Sequence, residues 1–324
     1  MQEKTTLAFD TLFMKEVYEG LTAFPKHLSS KFFYDEKGDK LFQDIMAMPE
    51  YYLTNAEFDI LEEHKEQITT LFAKDNTLFN LIELGAGDGK KTKILLRHLS
   101  AQNIPFTYSP VDISQNVLDL LKEAVGKELP AIPVRPLQGT YFETLETLNT
   151  LQDTKKVILF LGSNIGNLLH SKAITFLTGL SKLMQPQDLL FMGFDQKKNP
   201  QTILDAYNDP TGITAAFNKN ILVRMNSELG ANFDVDQFLH WEVYDPETGT
   251  AKSYLVSKKA QQVVIPKLAL EVSFKPWETI HTEISQKYDD AIVGWLAEKA
   301  GLRIEAEFSD SKKSYKDYVF KTTN

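Results

Sequence analysis

The chain has 324 residues, 43% hydrophobic and 24% charged, which is enough apolar material for a large core and for more than one. A formal net charge of -9 opposes phosphate backbones, and the basic pairs Lys90-Lys91 and Lys312-Lys313 are too small to make a local patch, so no nucleic acid partner is expected. The absence of cysteine excludes disulfides, thiolate metal sites and a cysteine nucleophile; with no apolar run of membrane-span or signal-peptide length, a cytoplasmic protein with no membrane partner is expected.

Leu7, Leu12, Phe13, Val17 and Leu21 fall mostly at helical spacing over 6–22, and Leu41, Phe42, Ile45 and Met46 repeat the signature. Pro49 breaks the chain before Tyr51 and Tyr52. Thr54 and Glu57 have T-x-x-E capping-box spacing, which predicts a helix from there to about Ala73. The rhythm then changes. Strands are expected at 79–84, 107–112, 156–162 and 188–195, with a weaker, proline-bearing one at 132–139; helices are expected at 91–99, 114–125 and 171–184. This alternation predicts a parallel-dominated sheet with helices on its faces.

After Asp195 the alternation stops. "QTILDAY" and "TAAFNKNILVRMNSEL" have helical character, and "FLHWEVYD", "SYLVSKKAQQVVI" and "LALEVSF" read as antiparallel strands. A helix at 289–300 and strands in "LRIEAEF" and "DYVFKT" resume the earlier style. The expected architecture is an α/β, Rossmann-like domain with a parallel-dominated sheet, residues 56–195 and 288–324, with a second α+β lobe from 1–55 and 196–287.

"LIELGAGDGKKT" (81–92) ends the first strand of the alternating region, the place where open α/β sheets bind ligands. Gly85, Gly87 and Gly89 miss both the nicotinamide fingerprint and the P-loop by one residue. What remains is E-x-G-x-G-x-G with Asp112 at the end of the next strand, a carboxylate suited to both ribose hydroxyls of a nucleoside. That is the pattern of S-adenosylmethionine-dependent methyltransferases; a turn that packs a helix tightly on the sheet is the bland alternative. "FLGSNIGN" (160–167) lacks the hydrolase elbow, and His27, His64, His98, His170, His240 and His281 have no metal-ligand spacing, so no metal is expected. If "ETIHTEIS" is a strand, Glu283 and Ser285 share a face, where they could bind a polar ring or a cation, or simply meet solvent.

Together, "FFYDEKGDKLFQDIMAMPEYYLTNAE", "ELGAGDGKKT", "FLGSNIGNL", "DAYNDPTGITAAFN" and "IHTEIS" resemble, in order and over nearly the whole chain, the histidine-specific Nα-methyltransferases of ergothioneine biosynthesis. The resemblance implies three methyl transfers from S-adenosylmethionine to the α-amine of histidine, giving hercynine. It implies that Gly85, Gly87 and Lys91 lie along the cofactor, with Asp112 on its ribose. Where the family places an acid near the adenine, this chain has Thr140 and Tyr141. For the substrate it implies Asn167 and Tyr207 on the carboxylate, Tyr51 orienting the amine as the catalytic candidate, Phe42 and Thr214 lining the pocket, and Glu283 and Ser285 on the imidazole. Ser253 stands where the family has a ring-packing methionine. The family also includes fungal enzymes that methylate a tryptophan derivative. N-methylation of another aromatic amino acid is therefore the alternative, and a nucleotide-binding sensor is the non-enzyme one. A monomer acting on a small amino acid is the default expectation.

Overall fold

The computed structural model describes residues 9–74, 77–149 and 154–323. Residues 1–8, which include the start of the helix expected over 6–22, lie outside them. The chain divides into two units, Met1–Tyr52 with Lys198–Ser285, and Leu53–Lys197 with Gln286–Asn324.

The second unit is built on a seven-stranded sheet. Its order is Leu302–Ser309, Tyr315–Thr322, Leu189–Asp195, Lys155–Phe160, Phe79–Leu84, Phe106–Asp112 and Leu137–Gln138. The five strands from Leu189–Asp195 onward pair in parallel, and the two C-terminal strands join antiparallel. Phe79–Leu84 and Lys155–Phe160 are buried at every position, as strands covered on both faces must be. Side chains alternate between those faces. Ile82, Leu84, Ile158 and Phe160 pack with the helices His170–Leu183 and Asp290–Lys299. Phe79, Leu81, Val157 and Leu159 pack with Tyr52–Phe72, Thr92–Ala101 and Gln115–Glu128.

Several expectations need correction. The helix expected from Thr54 begins at Tyr52, and Glu57 caps nothing: it is fully buried and bonded elsewhere. The strand expected over 132–139 shrinks to Leu137–Gln138 and a single bridge at Val134, because Pro133 and Pro136 lack the N–H a ladder needs. Tyr141–Asn149, which was not expected, is a helix. Its signal was present as T-x-x-E: the Thr140 hydroxyl donates to Glu143 at 2.6 Å and its amide donates at 3.1 Å.

The first unit holds the helices Leu12–Thr22, Glu36–Ala47, Pro200–Tyr207 and Ile213–Leu229. Its four-stranded sheet runs Lys26–His27, Thr279–Gln286, Thr250–Ser257, Phe238–Asp245. The expected single strand "SYLVSKKAQQVVI" is two, Thr250–Ser257 and Gln261–Ile265, the latter in a hairpin with Leu270–Phe274. Phe33, Phe217, Ile221, Met225, Leu255 and Ile280 form its core.

Candidate active site

The glycine loop follows Phe79–Leu84, and all three of its glycines have left-handed backbone. Each is bare for its own reason. A Cβ on Gly89 would stand 2.5 Å from Leu121 Cδ1, so that glycine serves packing. A Cβ on Gly85 would stand 2.9 Å from the Tyr141 hydroxyl. Gly87 is exposed, at φ +51, with nothing within 4 Å of a Cβ position, so its peptide is open to an approaching ligand. The Gly85 and Ala86 amides donate to the Val111 carbonyl at 2.9 and 3.2 Å, which ties the loop to the strand that ends in Asp112.

Asp112 accepts from the Ser114 amide at 2.9 Å through one oxygen, and a carboxylate has lone pairs for further donors. Burial, then the Asp112 charge, raises the Tyr141 phenol above its ordinary value. Gly85, Asp112, Thr140 and Tyr141 thus gather at one end of the sheet, while the Lys91 ammonium pairs with Glu57. A bare peptide, a ribose-suited carboxylate and an aromatic hydroxyl fit S-adenosylmethionine.

Beneath the loop lies buried Glu83, accepting from the hydroxyls of Thr92 and Tyr108. Burial outweighs those donors, and its carboxyl rises to about 7. The neighbouring strand leads into Gly162 and Ser163, both left-handed. Ser163 is held there because its hydroxyl accepts from the Asp195 amide at 2.9 Å and its carbonyl from Gly166 at 2.8 Å. Asn167 closes the 3-10 turn Asn164–Asn167 and is exposed.

In the first unit, Asn220 donates to the Phe33 carbonyl at 3.1 Å and to the Asp35 carboxylate at 2.8 Å, fixing the chain beside Tyr34 on the helix Ile213–Leu229. Tyr34 then meets Phe42 and Phe217 edge-on at centroid distances of 5.5 and 5.3 Å. Phe42 meets Tyr51 at 6.4 Å, and Tyr51 meets Tyr207 at 6.2 Å. The Tyr207 hydroxyl bonds to Ser285 Oγ at 2.7 Å, and buried His240 donates Nε2–H to the Tyr207 carbonyl at 3.0 Å. Burial, then the Glu283 charge, then Tyr51, pushes the Tyr34 phenol well above its ordinary value. Phe42, Tyr51, Tyr207, Glu283 and Ser285 therefore share one neighbourhood with Tyr34, Phe217 and His240, which sequence reading missed. Their signal is weak because rings and histidines are common in cores.

Thr214 is buried in the first turn of Ile213–Leu229. Its amide and that of Ile213 donate to Asp209 at 2.8 and 3.0 Å, so the "NDPTG" turn is a helix start. Burial would raise the Asp209 carboxyl, but the Thr211 hydroxyl and these donors outweigh it and hold it at about 2. Ser253 is 1% exposed, and its hydroxyl donates to Glu242 at 2.6 Å.

The family model for histidine-specific, S-adenosylmethionine-dependent methyltransferases matches residues 13–322. The histidine N-alpha-methyltransferase of Mycolicibacterium smegmatis is 37% identical over 89% of this chain and 88% of its own. The L-tryptophan methyltransferase trpM of Psilocybe serbica is 30% identical over 92% of this chain and 90% of its own. Among solved structures, the CcbJ methyltransferase of Streptomyces caelestis is 14% identical and covers 80% of this chain and 95% of that one, with a TM-score of 0.43. On the match over nearly its full length, the chain belongs to the family of histidine-specific, S-adenosylmethionine-dependent methyltransferases.

Proposed function

We propose that this protein transfers methyl groups to the α-amine of L-histidine three times, yielding hercynine for ergothioneine biosynthesis. The observation that carries the reading is the pair Glu283 and Ser285, two residues apart on one strand, with Ser285 bonded to Tyr207 and the rings of Tyr34, Phe42 and Tyr51 close by. An imidazole offers a donor to a carboxylate and a second nitrogen to a hydroxyl. Relatives named for histidine methylation support the choice.

S-adenosylmethionine, when bound, supplies an electrophilic methyl group on its sulfonium. Asp112 accepts from its ribose hydroxyls, and the glycine loop, with Thr140 and Tyr141, borders the nucleoside. Tyr207 holds the amino acid's carboxylate, and Tyr51 orients the amine. The amine must be neutral to react, so its proton leaves to solvent before each transfer; no strong base is required. Holding the reactants in line supplies ~7–11 kcal/mol of the barrier. In this reading residues 56–195 and 288–324 serve the cofactor, and 1–55 and 196–287 serve the amino acid. The enzyme acts as a cytoplasmic monomer on a free amino acid, with neither nucleic acid nor membrane.

Ser253, in place of methionine, favours a second reading, methylation of a bulkier aromatic amino acid such as tryptophan. Mass spectrometry of the product formed from L-histidine and S-adenosylmethionine tests the first. Three methyl groups on the α-nitrogen are expected; methylation of a ring nitrogen, or no product, would refute it.

A further inference from the structure

We propose that Glu57 is a positioning residue for the cofactor: one buried carboxylate holds Lys91 of the glycine loop and the Gly162 amide of the GSNIGN loop to a common point. The inference rests on the methyltransferase reading for its ligand, but its geometry stands within one unit.

Glu57 is fully buried on the helix Tyr52–Phe72. The Gly162 amide donates to both of its oxygens at 2.9 Å, the Lys91 ammonium donates to Oε2, and the Tyr315 hydroxyl donates to Oε1 at 2.9 Å. The seat exists because the neighbouring strand carries glycine there: a Cβ on Gly193 would stand 2.3 Å from Glu57 Oε1 and 2.2 Å from the Tyr315 hydroxyl. Gly193 pairs directly with Asp317, which is also fully buried. No donor reaches either Asp317 oxygen among the described residues. Burial, then the Glu57 charge, pushes its carboxyl well above the ordinary range. The Lys91 ammonium compensates the buried Glu57 carboxylate.

Buried charges cost free energy unless every oxygen is met by a donor in fixed geometry. Here two of the donors come from the glycine loop and the GSNIGN loop, and the third, Tyr315, from the strand Tyr315–Thr322. A capping role at the helix start would have needed none of them.

Glutamine in place of Glu57 keeps the shape but turns one oxygen into an N–H group facing donors. Two readouts separate this proposal from the reading it rests on. The first is hydrogen exchange of the ligand-free protein, followed over 85–91 and 161–167. Glu57→Gln is expected to speed it roughly tenfold in both loops, the effect of losing a charged acceptor worth ~1.5 kcal/mol. The second is calorimetry with S-adenosylhomocysteine, where a similar loss of affinity is expected; hydrogen exchange in the helix Asp290–Lys299 should not change. Tyr315→Phe removes one donor and leaves Glu57 in place, so it reads the same network in a variant that folds; about threefold weaker binding is expected. Unchanged loop exchange in Glu57→Gln, or unchanged affinity in Tyr315→Phe, would overturn the positioning role. A parent protein that does not bind S-adenosylhomocysteine would instead overturn the cofactor reading, and the exchange result would still decide for or against Glu57.

Discussion

The ground beneath the glycine loop is charged, and the candidate amino-acid pocket in the other unit is aromatic. Glu57, Glu83, Lys91 and Asp317 lie close together under the loops, the first three tied to named donors or acceptors. Around Tyr51 the contacts are edge-on rings, with Glu283 and Ser285 as the polar pair. The difference teaches where each unit is sensitive. A charge in a dry interior has few acceptable arrangements, so it fixes backbone. Rings tolerate rearrangement, so specificity there falls to the few polar atoms that a wrong ligand leaves unpaired.

The largest effect is expected at those polar atoms. Glu283→Ala should lower kcat/KM for histidine by roughly a hundredfold, since a charged acceptor for a buried donor is worth ~1.5–3 kcal/mol. Cofactor affinity should stay the same; steady-state kinetics and calorimetry check the two halves. Next comes Asp112→Ala, which removes acceptors for two ribose hydroxyls at ~1 kcal/mol or more each, about thirtyfold in S-adenosylhomocysteine affinity. Histidine affinity should hold, and an unchanged cofactor affinity would move the ribose elsewhere.

A third effect is pH-dependent and belongs to the charged side. The Glu83 carboxyl lies at about 7 in the fold against an ordinary 4.5. Between those values the folded protein keeps a proton that the unfolded chain has lost. Its contribution is therefore fully present below about 4.5 and is lost as pH rises through about 7. Denaturant midpoints should show this decline, and Glu83→Gln should flatten it. The smallest effect is expected at Ser253. Because its hydroxyl already meets Glu242, Ser253→Met should change kcat/KM for histidine less than tenfold, a loss of under ~1.4 kcal/mol.

The cofactor half was legible because its chemistry is local. A strand, three glycines and one acid lie within 79–112, and the spacing of glycines reports backbone geometry directly. What stayed hidden there was Glu57, whose T-x-x-E spacing imitates a cap while its partners stand at Lys91, Gly162 and Tyr315. The same pattern at Thr140 and Glu143 is a true cap, so spacing alone could not tell the two apart. The aromatic half was legible only through family motifs. Tyr34, Phe42, Tyr51, Tyr207, Phe217 and Glu283 come from distant segments, and no periodicity joins them.

Competition between histidine and tryptophan tests the central claim most directly. With both at equal concentration and labelled S-adenosylmethionine limiting, the polar pair predicts that label enters histidine by a large margin, and that Glu283→Ala erases the preference. Label entering tryptophan in the parent protein, or a preference that survives Glu283→Ala, would contradict the assignment of Glu283 and Ser285 to the imidazole.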